Sequence, residues 1–252
     1  LLANDVEQAT PHLEFLVHNV RPAGGMRPVP WPGLSPMGTL FDYYERCFDT
    51  DRNRRFSIRP SLPGTSRGAK RTCVPGSTCS PRRAGLRRRG RIAGHQLVLV
   101  ENADSDPGHG FGGGSSYQLW GALALDVGES RSPLIMAETL AHEATHSFLF
   151  GDTIEDPLVF NPEVDLYKSP LRTDPRPMDG IYHATFVSAR IHHLMDTLTR
   201  WPGLAEDDRE LAGKARDLAA EKFRAGLDVV EEFGDLSPTG AALMDAAARA
   251  AG

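Results

Sequence analysis

The sequence predicts an α+β fold, mainly helical, with a small antiparallel sheet. Three observations carry that expectation. Residues 96–101 and 117–126 are short apolar runs set apart by glycine-rich sequence, as strands are. From residue 133 onward apolar side chains recur at spacings of three and four, as on buried helix faces. One of those helices carries His142-Glu143-Ala144-Thr145-His146, an HExxH sequence. The sheet is expected to contain both strands and to be packed by the histidine helix, about 133–150. A short β pattern among helix-rich segments excludes a jelly-roll barrel.

Taken in order, residues 1–21 read as the end of a helix, with Leu13, Phe15, Leu16 and Val20 available for burial. Prolines and glycines from Pro22 to Pro36 mark a loop. Thr39 to Phe48 reads as a short helix with Leu40, Phe41, Tyr44 and Phe48 on its apolar side. Order resumes at Gln96-Leu97-Val98-Leu99-Val100, a buried strand. Gly112-Gly113-Gly114 lacks the Gly-Lys-Ser/Thr ending of a phosphate loop and precedes a strand, so it is a connection. Tyr117 to Asp126 is the second strand. Ser132-Pro133 then supplies an N-cap and a first-turn proline to the histidine helix. Residues 180–200 form a helix with Ile181, Ala184, Val187, Ile191, Leu194 and Leu198 along one side. The tail holds one helix from about Glu206 to Glu232 and another started by Ser237-Pro238. Four parts follow: an N-terminal helical part (1–51), an insert (52–91), a metal-binding core (92–200) and C-terminal helices packed on it (201–252).

The insert stands apart by charge. Residues 52–91 hold 13 Lys or Arg and no acid, leaving 15 basic against 33 acidic residues in the rest of the chain. With Pro60, Pro63, Pro75 and Pro81 and almost no aliphatic periodicity, it buries too little to offset its ordering entropy, so disorder is expected. A basic arm for nucleic acid or an acidic peptide is one alternative, and a frame-shifted stretch of a GC-rich gene is another. Beyond Phe56 no aromatic residue is interleaved, so nucleic acid is not the expected partner.

No apolar run approaches the ~20 residues that cross a bilayer, and no signal pattern is visible, so a soluble, cytoplasmic protein without a membrane partner is expected. The chain opens on Leu1, which leaves room for a missing natural start. Cys47, Cys73 and Cys79 are odd in number and match no zinc module, which favours free thiols in a reducing compartment.

The chemistry centres on the HExxH stretch. Residues four apart on a helix stand one turn apart on one face, with Cβ atoms ~5–6 Å apart, so His142 and His146 can grip one ion. Glu143, beside the first histidine, reaches a metal-bound water or holds a ligand in place. A third protein ligand is needed. Asp152 lies where metzincins place theirs, but Leu149 stands where those need glycine. Glu155 and Glu163 sit in a proline-interrupted loop. His183, at the start of a helix after Asp179-Gly180, is the stronger choice. His95, His109, His192 and His193 are expected to have ordinary surface or core roles.

His183 is the last residue but one of the string Tyr167-Lys168-Ser169-Pro170-Leu171-Arg172-Thr173-Asp174-Pro175-Arg176-Pro177-Met178-Asp179-Gly180-Ile181-Tyr182-His183-Ala184. HExxH followed about forty residues later by YxxPLRxDPRPxxGxxHA resembles the HExxH-type peptide β-hydroxylases, 2-oxoglutarate-dependent iron enzymes that modify ribosomally made peptides. The likeness covers roughly residues 95–200, including the Ser-Ser-x-x-Leu-Trp-Gly stretch before the zincin-like histidine helix, and does not extend to the basic insert. It implies Fe(II) held by His142, His146 and His183, with 2-oxoglutarate as cosubstrate and a ribosomal precursor peptide as substrate. Arg172 or Arg176 would bind the distal carboxylate through a bidentate fork, unless both serve only in ion pairs with Asp174 or Asp179. A three-histidine site leaves positions for a chelating 2-oxo acid and oxygen. Two other functions compete. A zinc metallopeptidase would use Glu143 as general base toward a zinc-bound water, whereas the hydroxylase reduces Glu143 to orienting a ligand or pairing with an arginine. A decayed homologue retained for peptide binding is the non-enzymatic alternative.

Overall fold

The computed structural model describes residues 27–29, 58–60, 96–102, 111–128, 132–153 and 156–251. The expected N-terminal helices, the three cysteines, His95, His109 and Glu155 lie outside them, as does all of the basic insert except residues 58–60.

Strands β1 (Arg27–Val29), β2 (Ile58–Pro60), β3 (Gln96–Asn102), β4 (Gly113–Ser115) and β5 (Ala122–Asp126) form one sheet. Its spatial order is β1-β3-β5-β4, and β2 also pairs with β3. The chain then forms helix α1 (Pro133–Asp152), a two-stranded ribbon of β6 (Leu166–Tyr167) and β7 (Arg176–Pro177), and helices α2 (Met178–Thr199), α3 (Glu206–Phe233) and α4 (Pro238–Ala251). The described part is thus mainly helical with a small sheet, as the apolar spacing predicts.

The sheet is mixed, which corrects the antiparallel expectation: β3 and β5 run parallel, with Leu97 opposite Leu123 and Leu99 opposite Leu125. Parallel neighbours need a crossover, and the chain between β3 and β5 contains β4, itself antiparallel to β5. The second strand is also shorter than residues 117–126. Tyr117–Leu119 is a 3-10 turn, and Gly121, with φ of 92°, turns the chain into β5. That left-handed backbone suits a residue without Cβ.

Every residue of β5 is buried. Leu97, Leu99 and Leu125 share one face of the sheet and pack with Met136 of α1. Gly113 and Ser115 of β4 pair with Leu125 and Leu123 and so fall on that same face. A Cβ on Gly113 would lie 2.4 Å from Thr139 Cγ2 and 3.2 Å from Glu143 Cγ, so the glycine lets α1 sit directly on β4. α1 starts where Ser132 Oγ accepts from the Ile135 amide at 3.2 Å, with Pro133 in the first turn. Trp120 Nε1 donates to Ser147 O (2.8 Å), and its ring lies over Gly151, where a Cβ would approach within 2.8 Å.

On its other side α1 meets α2, the central helix. Met178, Ile181, Tyr182, Phe186 and Ala189 are buried, and the cluster they form extends to Phe223, Val230 and Met244 of α3 and α4. A helix buried on nearly every side must be covered by neighbours on every side. Tyr182 satisfies its hydroxyl by donating to Gly240 O at 2.8 Å. No helix among the described residues is long and apolar enough to cross a membrane.

The α2–α3 contact closes at Gly226, where a Cβ would lie 2.1 Å from Thr185 Oγ1 and 3.0 Å from Thr185 Cβ. Gly213, on the same helix, has nothing within 4 Å. The two glycines should therefore respond to alanine with opposite signs. Gly226→Ala is expected to destabilise by about 1–3 kcal/mol through overpacking, and Gly213→Ala to stabilise by about 0.5–1 kcal/mol through helix propensity. Urea midpoints measure both. Equal effects at the two positions would show that the α2–α3 approach is looser than described.

Candidate metal centre

α1 and α2 bring the predicted histidines together. His142 and His146, one turn apart on α1, have their Nε2 atoms 3.2 Å apart, and His146 Nδ1 lies 3.4 Å from His183 Nδ1 on α2. His146 is the middle member, its ring nearly parallel to that of His183 with centroids 5.7 Å apart. Phe150 continues the His142-His146 stripe by another turn, its ring 6.2 Å from His146 and 5.9 Å from His183. Tyr117, from the 3-10 turn, meets Phe150 edge-on at 5.8 Å and is itself exposed. An aromatic wall thus runs from the imidazoles to the surface.

Burial keeps the imidazoles neutral. It lowers the His142 pKa, with Lys222 of α3 adding to the effect. His146 is pushed down to about 3 by burial first and then by His142 and His183. Burial also lowers His183, against the opposing charge of Asp179, whose Oδ1 lies 3.6 Å from His183 Nε2. Neutral imidazoles have lone pairs to offer a metal ion without first losing a proton.

The His142–His146 pair has the spacing of two ligands of one ion. Two nitrogens bound at ~2.05 Å to a tetrahedral ion stand about 3.3 Å apart, close to the His142–His146 separation. The arrangement, however, is a file and not a cage. His146 turns Nε2 to one neighbour and Nδ1 to the other, and one ion cannot take both. Among the described residues no three His, Cys, Asp or Glu side chains already enclose a common point. Closing the file around one ion therefore requires a side-chain rotation of His146 or His183.

Glu143 points away from the file toward the sheet. It is buried and accepts a 2.7 Å hydrogen bond from Ser115 Oγ of β4. Burial raises its carboxyl pKa to about 7, against that hydrogen bond. Arg172 and Arg176 both pair with Asp174, at 3.7 and 2.8 Å, in the exposed loop before α2. They differ in one respect: Arg176 Nε is buried with no hydrogen-bond partner. Of the weaker candidates, His192 faces Arg216 O at 3.2 Å, His193 and Glu163 are exposed, and Asp152 is the last residue of α1.

Four neighbours of the file escaped the sequence reading as site residues. Phe150 was within reach of it, because 142, 146 and 150 form one helical stripe. Ser115 and Tyr117 belong to the Ser-Ser-x-x-Leu-Trp-Gly stretch but show no contact by spacing. Lys222 lies on a helix assigned only to packing, and nothing in the sequence links it to His142. Comparison of the chain with models of known protein families gives no match, and comparison with curated proteins gives no significant one.

His146 and Glu143 contribute oppositely to the pH dependence of the metal-free protein. His146 titrates lower folded (about 3) than unfolded (6.5), so its contribution is present above pH 6.5 and is lost as pH falls toward 3. Glu143 titrates higher folded (about 7) than unfolded (4.5), so its contribution is present below 4.5 and is lost as pH rises through 7. Between 4.5 and 6.5 Glu143, joined by the likewise raised Glu138, opposes His146, joined by the likewise lowered His142 and His183. Removing Glu143's titration in Glu143→Gln should shift the slope of stability against pH upward by up to about 1.4 kcal/mol per pH unit. His146→Gln should shift it downward. Urea midpoints of the metal-free proteins across that range give the answer, and parallel profiles for wild type and Glu143→Gln would refute it.

Proposed function

We propose that this chain is a 2-oxoglutarate- and Fe(II)-dependent dioxygenase that hydroxylates a side-chain β-carbon of a ribosomally made precursor peptide. The observation that carries the reading is the file of three neutral imidazoles from α1 and α2, with the arginine-bearing loop leading directly into the helix of His183. Iron bound with a 2-oxo acid supplies the activation of oxygen by which a C–H bond becomes C–OH, 2-oxoglutarate being oxidised to succinate and carbon dioxide. His142, His146 and His183 are the proposed ligands. Phe150 and Tyr117 form the apolar flank of the site. Glu143, held by Ser115, fixes α1 against β4 and thereby the bearing of His142.

Arg176 is the better anchor for the distal carboxylate of 2-oxoglutarate. Its buried Nε–H is unspent, and one arm of the guanidinium already meets Asp174. A carboxylate takes two parallel N–H bonds from such a fork. Arg172, with its side chain 57% exposed, has no comparable reason to be dry.

A zinc peptidase is supported by one specific feature, the Glu143 carboxyl at about 7, near the ideal for a general base at neutral pH. Three substitutions separate the readings. For the hydroxylase, anaerobic loading with Fe(II) followed by oxygen and 2-oxoglutarate should yield succinate. Arg176→Ala should then raise the half-saturating 2-oxoglutarate concentration about 30-fold or more, the consequence of losing roughly 2 kcal/mol or more of charge-assisted contact. Arg172→Ala should change it little. Glu143→Gln should cost about 10- to 100-fold without removing the chemistry. Peptide cleavage with zinc and no 2-oxoglutarate, abolished by Glu143→Gln, would establish the peptidase instead.

A further inference from the structure

We infer that Asp179 is a positioning residue for His183: it holds the proton of that ring on Nε2, so His183 offers Nδ1 to a metal ion shared with His142 and His146. The inference rests on the metal-centre reading above and specifies how one ligand is prepared.

Asp179 and His183 stand four residues apart on α2, so their side chains share a face of the helix. The ring has a different neighbour at each end. Asp179 Oδ1 lies 3.6 Å from Nε2, and His146 Nδ1 lies 3.4 Å from Nδ1. A carboxylate can only accept a hydrogen bond, and a neutral imidazole carries one N–H. The carboxylate therefore selects the tautomer with hydrogen on Nε2 and leaves the lone pair on Nδ1. The 3.6 Å separation is longer than a hydrogen bond, but the Asp179 side chain is half exposed, whereas the His183 side chain is 10% exposed. Phe150 and Tyr182, with centroids 5.9 and 6.5 Å away, confine the imidazole, so the carboxylate and not the ring makes the adjustment. A carboxylate behind a histidine also raises its basicity as a ligand. His142, by contrast, presents Nε2 to its neighbour.

A purely structural role for Asp179 exists, since an acid in the first turn of a helix is favoured by the helix dipole. Tautomer state distinguishes the two. The full chain labelled with 15N-histidine is examined metal-free and with Zn(II) as the diamagnetic probe, using two-bond proton–nitrogen correlations. The expected metal-free state of His183 is the Nε2–H tautomer, and the expected zinc state is metallation at Nδ1. Asp179→Ala should release the ring to populate the other tautomer and weaken Zn(II) binding about 10- to 100-fold in competition with a chromophoric chelator. Metallation at Nε2, or a variant that changes only the unfolding midpoint, overturns the inference while leaving the metal centre standing. A protein whose histidines take no zinc removes the metal centre and the Nδ1 ligation together.

Discussion

Three imidazoles packed side by side in a part-buried contact between two helices constrain everything around them. Were any two protonated, their charges would stand a few ångströms apart with little water between them, so the fold must hold them neutral. It does so by burial, which pushes His146 down to about 3. The contact exists only because α2, thirty-odd residues further along the chain, packs against α1. α2 is in turn fixed by the apolar cluster it shares with α3 and α4 and by the Tyr182–Gly240 hydrogen bond. The helices carrying no proposed ligand thus act on the site through the position of one helix.

The sheet contributes from the opposite side. Gly113 allows β4 to touch α1, and Ser115, two residues on and on the same face, reaches Glu143. A larger residue at 113 would separate strand and helix and lengthen that 2.7 Å contact. Trp120 and Ser147 tie the same surfaces one turn further along: the indole donates to Ser147 O, and Ser147 Oγ accepts from the Gly121 amide. α1 is pinned before and after His146, and rotation of the helix about its axis, which would spoil the bearing of both histidines at once, is opposed from two directions.

How far the sequence could anticipate this follows from the range of each interaction. α1 was legible almost to the residue, because its cap, its first-turn proline and its apolar spacing are local signals. The helices of the tail were legible for the same reason, starting at Glu206 and Pro238. The parallel pairing of β3 with β5 was not, since strand direction depends on the path of the intervening chain and both strands are short apolar runs. The split of 117–126 into a 3-10 turn and a strand turns on Gly121, whose positive φ is invisible until the backbone is traced. In the site, His142 and His146 follow from helical spacing. His183 could be chosen only by pattern, and the burial and Ser115 contact of Glu143 depend on a strand 28 residues earlier.

The file arrangement bears on how a metal centre could operate here. Because His146 faces a different ring with each nitrogen, binding one ion through all three histidines must exchange one ring–ring contact for a metal bond. Metal affinity is then reduced by the free energy of that rearrangement, since a ligand can shift an equilibrium only by its differential affinity for the two states. The neutral rings work in the other direction, because no proton has to be displaced at neutral pH. An ion bound only to the folded form would also stabilise the packing of α1 on α2 by mass action. Phe150 and Tyr182 confine the His183 ring, so the rotation that closes the file falls on His146, the member with a partner at each nitrogen.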